Sequence, residues 1–276
     1  MDIHSQISSS ASTDVGSVRK NNEDSIGAWP EMGLFVVADG MGGHKGGEMA
    51  SGITIDVIHK HMKSSLESLN KIGELDEETG YTQESLILES ALSLANETIR
   101  STGESQPQYQ NMGTTVVGLI FYDNRFTVAH VGDSRLYRIR ENEIEQLTLD
   151  HSLIEDLIAR GFYTPEEASK SLNKNVLLRA LGAEEDVKID VLEDFALVGD
   201  IYVNCSDGLT NMVTDEQILK IVLDNQENLE QATQTLVDTA NENGGKDNIS
   251  VILAKVDKEF SAKVSWFKKL LSWFVK

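Results

Sequence analysis

Hydrophobic residues recur along this chain with two different periods. The apolar run GLFVVAD at 33–39 is short and β-branched, which predicts a buried strand. Further along, apolar residues return at helical spacing, as at Ile53 and Val57, and predict a long helix. A polar loop over 70–83 separates it from a second helix that runs to about Ile99 and is followed by another loop.

The second half of the chain begins with strands in succession. Four are predicted, at TTVVGLIFY (114–122), RFTVAHVG (125–132), RLYRIR (135–140) and EIEQLT (143–148), with YDNR as a hairpin turn between the first two. Short helical pieces and loops over 151–182 precede two strands at 188–195 and 200–205, two helices at 214–223 and 229–243, and a last strand at 248–256. Runs of strands and runs of helices predict an α+β fold with largely antiparallel sheets.

Composition narrows the class of protein. The 276 residues suit one large domain or two small ones, and 24 basic against 45 acidic residues give a net charge of −21, which argues against nucleic-acid binding. The single cysteine, Cys205, excludes an internal disulfide and a thiolate zinc site. The N-terminus has no secretory signal pattern, and no apolar run is long enough to span a bilayer. We therefore expect a cytoplasmic protein.

An unusual glycine-rich stretch, VVADGMGGHKGGE, covers 36–48. Its spacing does not fit the dinucleotide fingerprint, because the sixth position from Gly40 is Lys45, and no Gly-Lys-Ser/Thr of a nucleotide P-loop follows. Glycine lets a ligand approach the main chain closely, and a carboxylate with backbone carbonyls can bind a hard cation. A tight surface turn and a metal site therefore remain as interpretations of Asp39 and the glycines after it.

Four aspartates occupy matching places at the ends of apolar strands, namely Asp39, Asp133, Asp207 and Asp247. A turn would explain any one of them, but several carboxylates that converge at one sheet edge would repel each other without cations. Oxygen ligands alone suit Mg²⁺ or Mn²⁺, and two such ions bridged by a carboxylate can activate water against a phosphate ester. Near the N-terminus, Arg19 could bind a phosphate through two parallel hydrogen bonds.

Six motifs together resemble a known family, the metal-dependent serine/threonine phosphatases of the protein phosphatase 2C type (PPM), in its bacterial-type variant. They are TDVGSVRKNNED, VVADGMGGH, MGTTVV, VGDSR, NCSDGLTNMV and GGKDNISV, and they occur in the family's order. The resemblance covers roughly residues 8–256. It implies a four-layer α-β-β-α sandwich in which two antiparallel sheets face each other and a metal pair lies in a cleft at one end.

The resemblance also implies a ligand set for two Mn²⁺ or Mg²⁺ ions. Asp39 would bridge both metals, and Asp207 and Asp247 would hold the first. The carbonyl of Gly40 would hold the second metal, with Glu23 reaching it through water. A carbonyl ligand would explain why the backbone at Gly40 must be approachable.

Further roles follow from the same resemblance. Asp133, together with Asp207, would form a third, weaker metal site. Arg19 would bind the substrate phosphate, and Asp24 and Asn248 would orient waters or ligands around the metals.

The sequence departs from the family pattern in two places. Some members have histidine directly after Asp-Gly, but here Met41 stands there, and we do not expect the later His44 to be the proton donor. His130, inside a strand, is expected to be a packed residue. Residues 150–182 would be the flap beside the active site, a recognition and gating element rather than a catalytic one. Where relatives often have His-Pro and Arg-Asn-Val, this flap has Ser171-Leu172 and Lys174-Asn175-Val176.

Two functions of different classes fit these motifs. The first is hydrolysis of phosphoserine and phosphothreonine on proteins by metal-activated water, in opposition to a serine/threonine kinase. The alternative is a non-catalytic phosphoprotein-binding module with the same fold. A decayed site should lack at least one metal-binding aspartate, and Asp39, Asp207 and Asp247 are all present together with Arg19. We therefore expect a signalling phosphatase.

The catalytic domain is predicted to end at Val256, and residues 257–276 to form an amphipathic helical tail. Apolar residues step by four and three in one stripe, which comprises Phe260, Val264, Phe267, Leu271 and Phe274. Five lysines against two acids give the tail a charge of +3. A basic face opposite aromatic residues suits docking on an anionic membrane surface or on a partner protein. The alternative is that the tail packs on its own acidic domain.

Overall fold

A computed structural model describes residue 3, residues 5–42 and 45–164, residue 167 and residues 176–262. Within these residues the chain forms eleven strands: β1 (Ile7–Asp14), β2 (Asp24–Trp29), β3 (Leu34–Met41), β4 (Gly113–Thr114), β5 (Val116–Tyr122), β6 (Arg125–Val131), β7 (Arg135–Arg140), β8 (Glu143–Gln146), β9 (Asp190–Phe195), β10 (Ile201–Cys205) and β11 (Ile249–Val256). The α-helices of the same residues are α1 (Gly46–Ser68), α2 (Gln83–Ser105), α3 (Leu153–Ala159), α4 (Asp207–Thr210), α5 (Asp215–Asp224) and α6 (Leu229–Glu242).

The strands form two sheets. One has the order β1-β11-β10-β7-β8, and the other has the order β2-β3-β5-β6-β9, with β4 paired to β3. Every strand pairing in both sheets is antiparallel. The predicted α+β class with antiparallel sheets is confirmed.

The two sheets face each other across an aromatic core. Phe121 and Phe126 from the second sheet both pack edge-on against Tyr202 of β10, with ring centroids 5.0 and 4.9 Å apart. Leu136 and Ile252 complete the contact from the first sheet. Burying each such side chain contributes on the order of 1.5–3 kcal/mol, so this layer holds the sandwich together.

Helices cover the outer faces of both sheets. Helices α1 and α2 pack on the second sheet through side chains such as Ile58, Leu88 and Leu92, which are fully buried. The first sheet is covered by α4, α5 and α6, where Ile218 and Leu236 are likewise buried. The order of layers is therefore helix, sheet, sheet, helix, as the resemblance implied.

Local sequence explains two of the sharper features. The hairpin between β5 and β6 turns at Asp123 and Asn124, which have φ angles of 45° and 56°. Asn and Asp tolerate this left-handed region better than other residues, and a two-residue turn of this kind matches the twist of the strands. Helix α5 begins at a reciprocal capping box between Thr214 and Gln217. The side chain of each residue accepts a hydrogen bond from the backbone N–H of the other, so two N–H groups of the first turn have partners.

Some predicted elements differ from the structure. Helix α2 continues to Ser105, and a short 3₁₀ helix at Pro107–Tyr109 occupies half of the remaining predicted loop. Strands β1 and β2 were not predicted. Both are sheet edges, and half of the β1 sequence, ISSSASTD, is serine, so β1 lacks the apolar run that marks the central strands.

The end of the described chain packs on the domain beyond the predicted boundary at Val256. Phe260 is only 3% exposed, and its ring lies 6.0 Å from that of Phe121. Its backbone N–H donates to Oδ1 of Asn124 at 2.6 Å, and the N–H of Ala262 donates to Oδ1 of Asp123 at 2.6 Å. Phe260 therefore belongs to the core and not to an exposed stripe.

The rest of the predicted tail, residues 263–276, lies outside the described residues, and so do His44 and the flap residues at 171–172 and 174–175. Helix α3 and the buried His151 lie within the described part of the predicted flap. No helix among the described residues is long and apolar enough to cross a membrane.

Candidate metal centre

The structure brings the four strand-end aspartates to one edge of the sandwich. Asp39 ends the apolar part of β3 and pairs with Asp24 at the start of β2. Burial raises the pKa of Asp39 well above its usual range, and repulsion by Asp24, Asp207, Asp133 and Asp247 raises it further. Such repulsion requires the carboxylates to be close neighbours. Asp39 therefore lies within electrostatic reach of these four aspartates in the folded chain.

Asp207 has one carboxylate oxygen with no hydrogen-bond partner. Its Oδ2 accepts from Nδ2 of Asn211 at 3.0 Å, whereas its Oδ1 is buried and unpartnered among the described residues. Burial and the neighbouring Asp247 both raise the pKa of Asp207. A buried carboxylate oxygen without a partner is destabilising, and a cation would satisfy it. This side chain fits the role of a metal ligand.

The glycines after Asp39 allow two backbone segments to approach closely. A Cβ on Gly40 would lie 2.5 Å from the carbonyl oxygen of Glu23 and would collide with the carbonyl of Gly47. A Cβ on Gly47 would lie 2.6 Å from Oε2 of Glu23 and 2.8 Å from the carbonyl carbon of Gly40. Only glycine fits at both positions. The carboxylate of Glu23 is thereby placed beside the Gly40 carbonyl.

Hydrogen bonds fix the backbone around this contact. The carbonyl oxygen of Glu23 accepts from the N–H of Gly40 at 3.2 Å and from the hydroxyl of Ser51 at 2.6 Å. On the other side of β3, the carbonyl oxygen of Asp39 accepts from the hydroxyl of Thr114 at 2.8 Å and from the N–H of Thr115 at 2.9 Å. The main chain that carries the two carboxylates is therefore held from several elements.

Arg19 lies at the mouth of the cluster. Its Nη2 donates to Oδ2 of Asp247 at 2.8 Å, while about half of its side chain is exposed. A guanidinium has five N–H donors, so a single carboxylate contact leaves most of its capacity for another anion. The position agrees with the predicted contact to a substrate phosphate.

Asp24 is buried among hydroxyl groups. Its Oδ2 accepts from Ser206 at 2.8 Å and from Ser250 at 2.7 Å. Burial raises its pKa to about 6, the two serine hydrogen bonds oppose the rise, and Asp207 and Asp247 add to it. Asp24 thus connects the starts of β2 and β11 to the end of β10, next to the aspartates of the cluster.

Asn248 joins the N-terminal loop to β11. Its Oδ1 accepts from the backbone N–H of Glu23 at 2.8 Å, and its Nδ2 donates to the carbonyls of Val15 and Asn21, both at 2.9 Å. The side chain is 4% exposed. It positions the loop that carries Glu23 and Arg19.

Asp133 lies between β6 and β7 on the same side. Burial raises its pKa to about 7, with Asp207 and Asp150 as further causes. The neighbouring Ser134 hydroxyl lies 2.7 Å from that of Thr115 and so connects this loop to the start of β5. The structure thus places Asp133 close enough to Asp207 for the two to interact electrostatically.

The sequence analysis missed the hydroxyl residues that support the cluster. Ser206 directly precedes Asp207, Ser250 follows Asn248 by two positions, and Ser51 faces the loop of Glu23 from helix α1. The available signal was a small hydroxyl residue near each aspartate motif. It is weak because serine is common in turns.

A second group of titratable residues contains none of the predicted ligands, although the N–H of Gly132, next to Asp133, donates to Nδ1 of His151 at 3.2 Å. His130 and His151 stack at a centroid distance of 4.6 Å, and with Asp190 they bring potential ligand atoms within 4.8 Å of one another. Nη1 of Arg179, however, lies 3.0 Å from Oδ1 of Asp190 and 3.2 Å from Nε2 of His151. A guanidinium at this place opposes a metal cation, so we interpret the group as structural. Burial lowers the pKa of His130 to about 4, which agrees with its predicted packed role.

The sequence profile of the family described as Protein phosphatase 2C matches residues 17–254. The protein phosphatase PhpP of Streptococcus pneumoniae is 35% identical over 251 residues, which cover 90% of this chain and 96% of PhpP.

Two solved structures are similar throughout. The serine/threonine phosphatase PstP/Ppp of Mycobacterium tuberculosis has a TM-score of 0.80 and 34% identity, covering 92% of this chain and 100% of that one. The catalytic domain of PstP in complex with two manganese ions has a TM-score of 0.76 and 33% identity, covering 92% and 99%.

Proposed function

Because this chain belongs to the protein phosphatase 2C family and is a metal-dependent protein-serine/threonine phosphatase, we propose that its strand-end aspartates form the metal centre. The observation that carries this assignment is Oδ1 of Asp207, a buried carboxylate oxygen with no partner among the described residues. The other donors around it are carboxylate and carbonyl oxygens. Such a set suits Mn²⁺ and Mg²⁺ better than softer metals.

In this proposal Asp39 would be a ligand shared by two Mn²⁺ or Mg²⁺ ions, and Asp207 and Asp247 would be further protein ligands of the first. The carbonyl of Gly40 would hold the second ion, and Glu23 would reach it through water. Support comes from the glycine contact that places the Glu23 carboxylate beside Gly40. Ions bound there supply positive charge that stabilises the transferred phosphoryl group and activates water as a nucleophile.

Residues around the ions have separate tasks. Arg19, half exposed at the mouth, binds and orients the phosphate of the substrate. Asn248 holds the backbone of the loop that carries both Arg19 and Glu23, and Asp24 holds the strand starts through its serine hydrogen bonds. Asp133 would share with Asp207 a third, weaker metal site, which is supported by its burial within electrostatic reach of Asp207.

The substrates of a serine/threonine phosphatase are phosphorylated proteins. We propose more specifically that this chain opposes a serine/threonine kinase, by acting on the kinase itself or on its targets. The non-catalytic binding module is disfavoured because the chain retains all three predicted aspartate ligands and Arg19.

The decisive experiment uses the purified full-length chain and a phosphothreonine peptide. We expect hydrolysis to require Mn²⁺ or Mg²⁺ and to stop on addition of a chelator. Mn²⁺ binding measured by calorimetry should weaken strongly in Asp39→Asn and remain unchanged in Asp238→Asn, an exposed aspartate of α6. Equal Mn²⁺ binding by both variants would contradict the ligand assignment, whether or not the enzyme is active.

A further inference from the structure

A cavity of about 340 Å³ lies between α1, α2 and the end of β5, far from the metal centre. The cavity lies near the start of β3 at Leu34, and Asp39 of the metal centre is five residues further along the strand. The distance along the strand between Leu34 and Asp39 is roughly 17 Å. Its apolar wall consists of Met32, Leu66, Leu69, Ile72, Ile120 and Tyr122. Its volume and apolar lining are those of a binding pocket.

One oxygen of a buried carboxylate in this cavity has no hydrogen-bond partner among the described residues. Glu84 is 1% exposed, and its Oε1 accepts from the N–H of Gly73 at 2.9 Å. Its Oε2 is buried and has no hydrogen-bond partner among the described residues. Glu31 and Glu67 also line the cavity, against one basic residue, Lys63. The chemistry that fits is an apolar group with a cationic donor, because a cation would satisfy Glu84.

The described chain ends beside this cavity. The backbone N–H of Ala262 donates to Oδ1 of Asp123 at 2.6 Å, and Asp123 directly follows Tyr122 of the cavity wall. A side chain at Gly73, the residue that donates to Glu84, would lie 3.0 Å from Oδ2 of Asp123. The segment after Ala262 therefore starts at the rim of the cavity.

That segment has the matching chemistry. Residues 263–276, KVSWFKKLLSWFVK, contain four lysines and no acid, whereas residues 1–262 carry 20 basic and 45 acidic residues, a charge of −25. Fourteen residues can extend roughly 20 Å as a helix or about 45 Å as an extended chain, which is enough to reach the cavity. A tethered segment also acts at a high effective concentration, of millimolar order for a short connection.

We propose that residues 263–276 dock into this cavity of their own domain, with Trp266 and Phe267 against the apolar wall and a lysine ammonium at Glu84. Another apolar surface flanks the same hairpin, formed by Phe195, Leu197 and Val198. There the guanidinium of Arg125 stands 4.8 Å from the Phe195 ring, so this surface is less suited to a basic segment. The inference does not depend on the proposed function.

Disulfide trapping in the full-length chain tests the proposal. The native Cys205 is fully buried, so introduced cysteines are the reactive pair. Phe267→Cys is combined with Glu67→Cys at the cavity rim or, as a matched control, with Val198→Cys, which is 57% exposed on the other side of the hairpin. Under mild oxidation we expect the Glu67 pair to form the intramolecular disulfide at least tenfold faster. Equal rates, or a faster Val198 pair, would overturn the proposal.

A charge variant tests the role of Glu84 separately. In the Glu67→Cys, Phe267→Cys background, Glu84→Gln keeps the oxygen that accepts from Gly73 but removes the charge. Trapping should slow roughly tenfold, as expected for the loss of one charge-assisted contact. Glu97→Gln, exposed on the same helix, should have no effect. An unchanged rate in folded Glu84→Gln would remove Glu84 from the docking site.

A membrane surface is the competing target. The full-length chain is therefore mixed with vesicles that contain an anionic lipid and sedimented. We expect the protein to remain in the supernatant and the trapping rate to stay unchanged. Sedimentation together with loss of trapping would show that the segment prefers the lipid surface, and would overturn docking in the cavity.

Discussion

Two glycines of helix α1 provide a matched pair for testing the close contact at the metal centre. Gly47 and Gly52 lie in the same helix, five residues apart. A Cβ at Gly47 would lie 2.6 Å from Oε2 of Glu23 and 2.8 Å from the carbonyl of Gly40, whereas a Cβ at Gly52 would meet no atom within 4 Å among the described residues. The two alanine substitutions should therefore have opposite effects on stability.

The sign follows from two competing contributions. Alanine is favoured over glycine inside a helix by about 1 kcal/mol, so Gly52→Ala should raise the free energy of unfolding by up to that amount. At Gly47 the gain in helix propensity is smaller, because the residue lies in the first turn. The new methyl group would also overpack against Glu23 and Gly40, which costs about 1–3 kcal/mol. We expect Gly47→Ala to lose about 1–2 kcal/mol of stability net.

The same overlap should be visible in catalysis. To accommodate a methyl group, Glu23 and the backbone of Gly40 must move, and both belong to the proposed site of the second metal. Urea unfolding and the Mn²⁺ dependence of peptide hydrolysis should be measured for both variants. We expect Gly47→Ala to need a higher Mn²⁺ concentration and Gly52→Ala to behave as the parent. If Gly47→Ala were as stable as Gly52→Ala with unchanged Mn²⁺ dependence, the contact would not constrain the site.

Three further predictions concern other residues. Asp207→Asn should abolish Mn²⁺-dependent peptide hydrolysis while circular dichroism shows an intact fold, and near-normal turnover at low Mn²⁺ would remove Asp207 from the centre. Arg19→Ala should raise KM much more than it lowers kcat, because the guanidinium holds phosphate in ground and transition states alike; a large loss of kcat at constant KM would contradict this role. His130 has a folded pKa of about 4 against an ordinary value of 6.5, so its contribution to stability should fall by at most about 3 kcal/mol as the pH is lowered through this window, while the raised pKa values of Asp24 and Asp133 act in the opposite direction. His130→Phe, which keeps a ring beside His151, should remove this contribution. Urea unfolding at pH 7 and pH 5 should show that the variant loses less free energy of unfolding than the parent between the two pH values, and an equal change in both proteins would assign the pH dependence to other groups.

The helices and central strands could be predicted because their burial is periodic along the chain. Strands β3, β5, β10 and β11 are almost entirely buried, and their apolar runs mark them clearly. The edge strand β1 could not be found in this way. Its serines alternate weakly between half-buried and exposed positions, and it is held by its backbone pairing with β11 rather than by apolar side chains.

The Phe260 position shows where periodicity can mislead. Its spacing to Val264 and Phe267 fits a helical stripe, so the sequence alone assigns it to the tail. In the structure it fills a place beside Phe121, because the hairpin side chain of Asn124 binds its backbone N–H. That contact joins residues 136 positions apart along the chain, and no local pattern encodes it.

The aspartate cluster, in contrast, could be predicted from the sequence. The pairing of antiparallel strands brings its members together although they are far apart along the chain. In an antiparallel pair the end of one strand lies beside the start of its neighbour. Asp39 near the end of β3 therefore faces Asp24 at the start of β2. In the other sheet, Cys205 at the end of β10 pairs with Val251 near the start of β11. Asp207 follows this end of β10 and Asp247 precedes this start of β11, so the two aspartates lie at the same sheet edge. An aspartate at each of these chain positions reaches the same edge once the order of strands is fixed. The hydroxyls of the serines that hold these carboxylates follow no such rule, since each must only be small and polar, and that is why they became visible only in the folded chain.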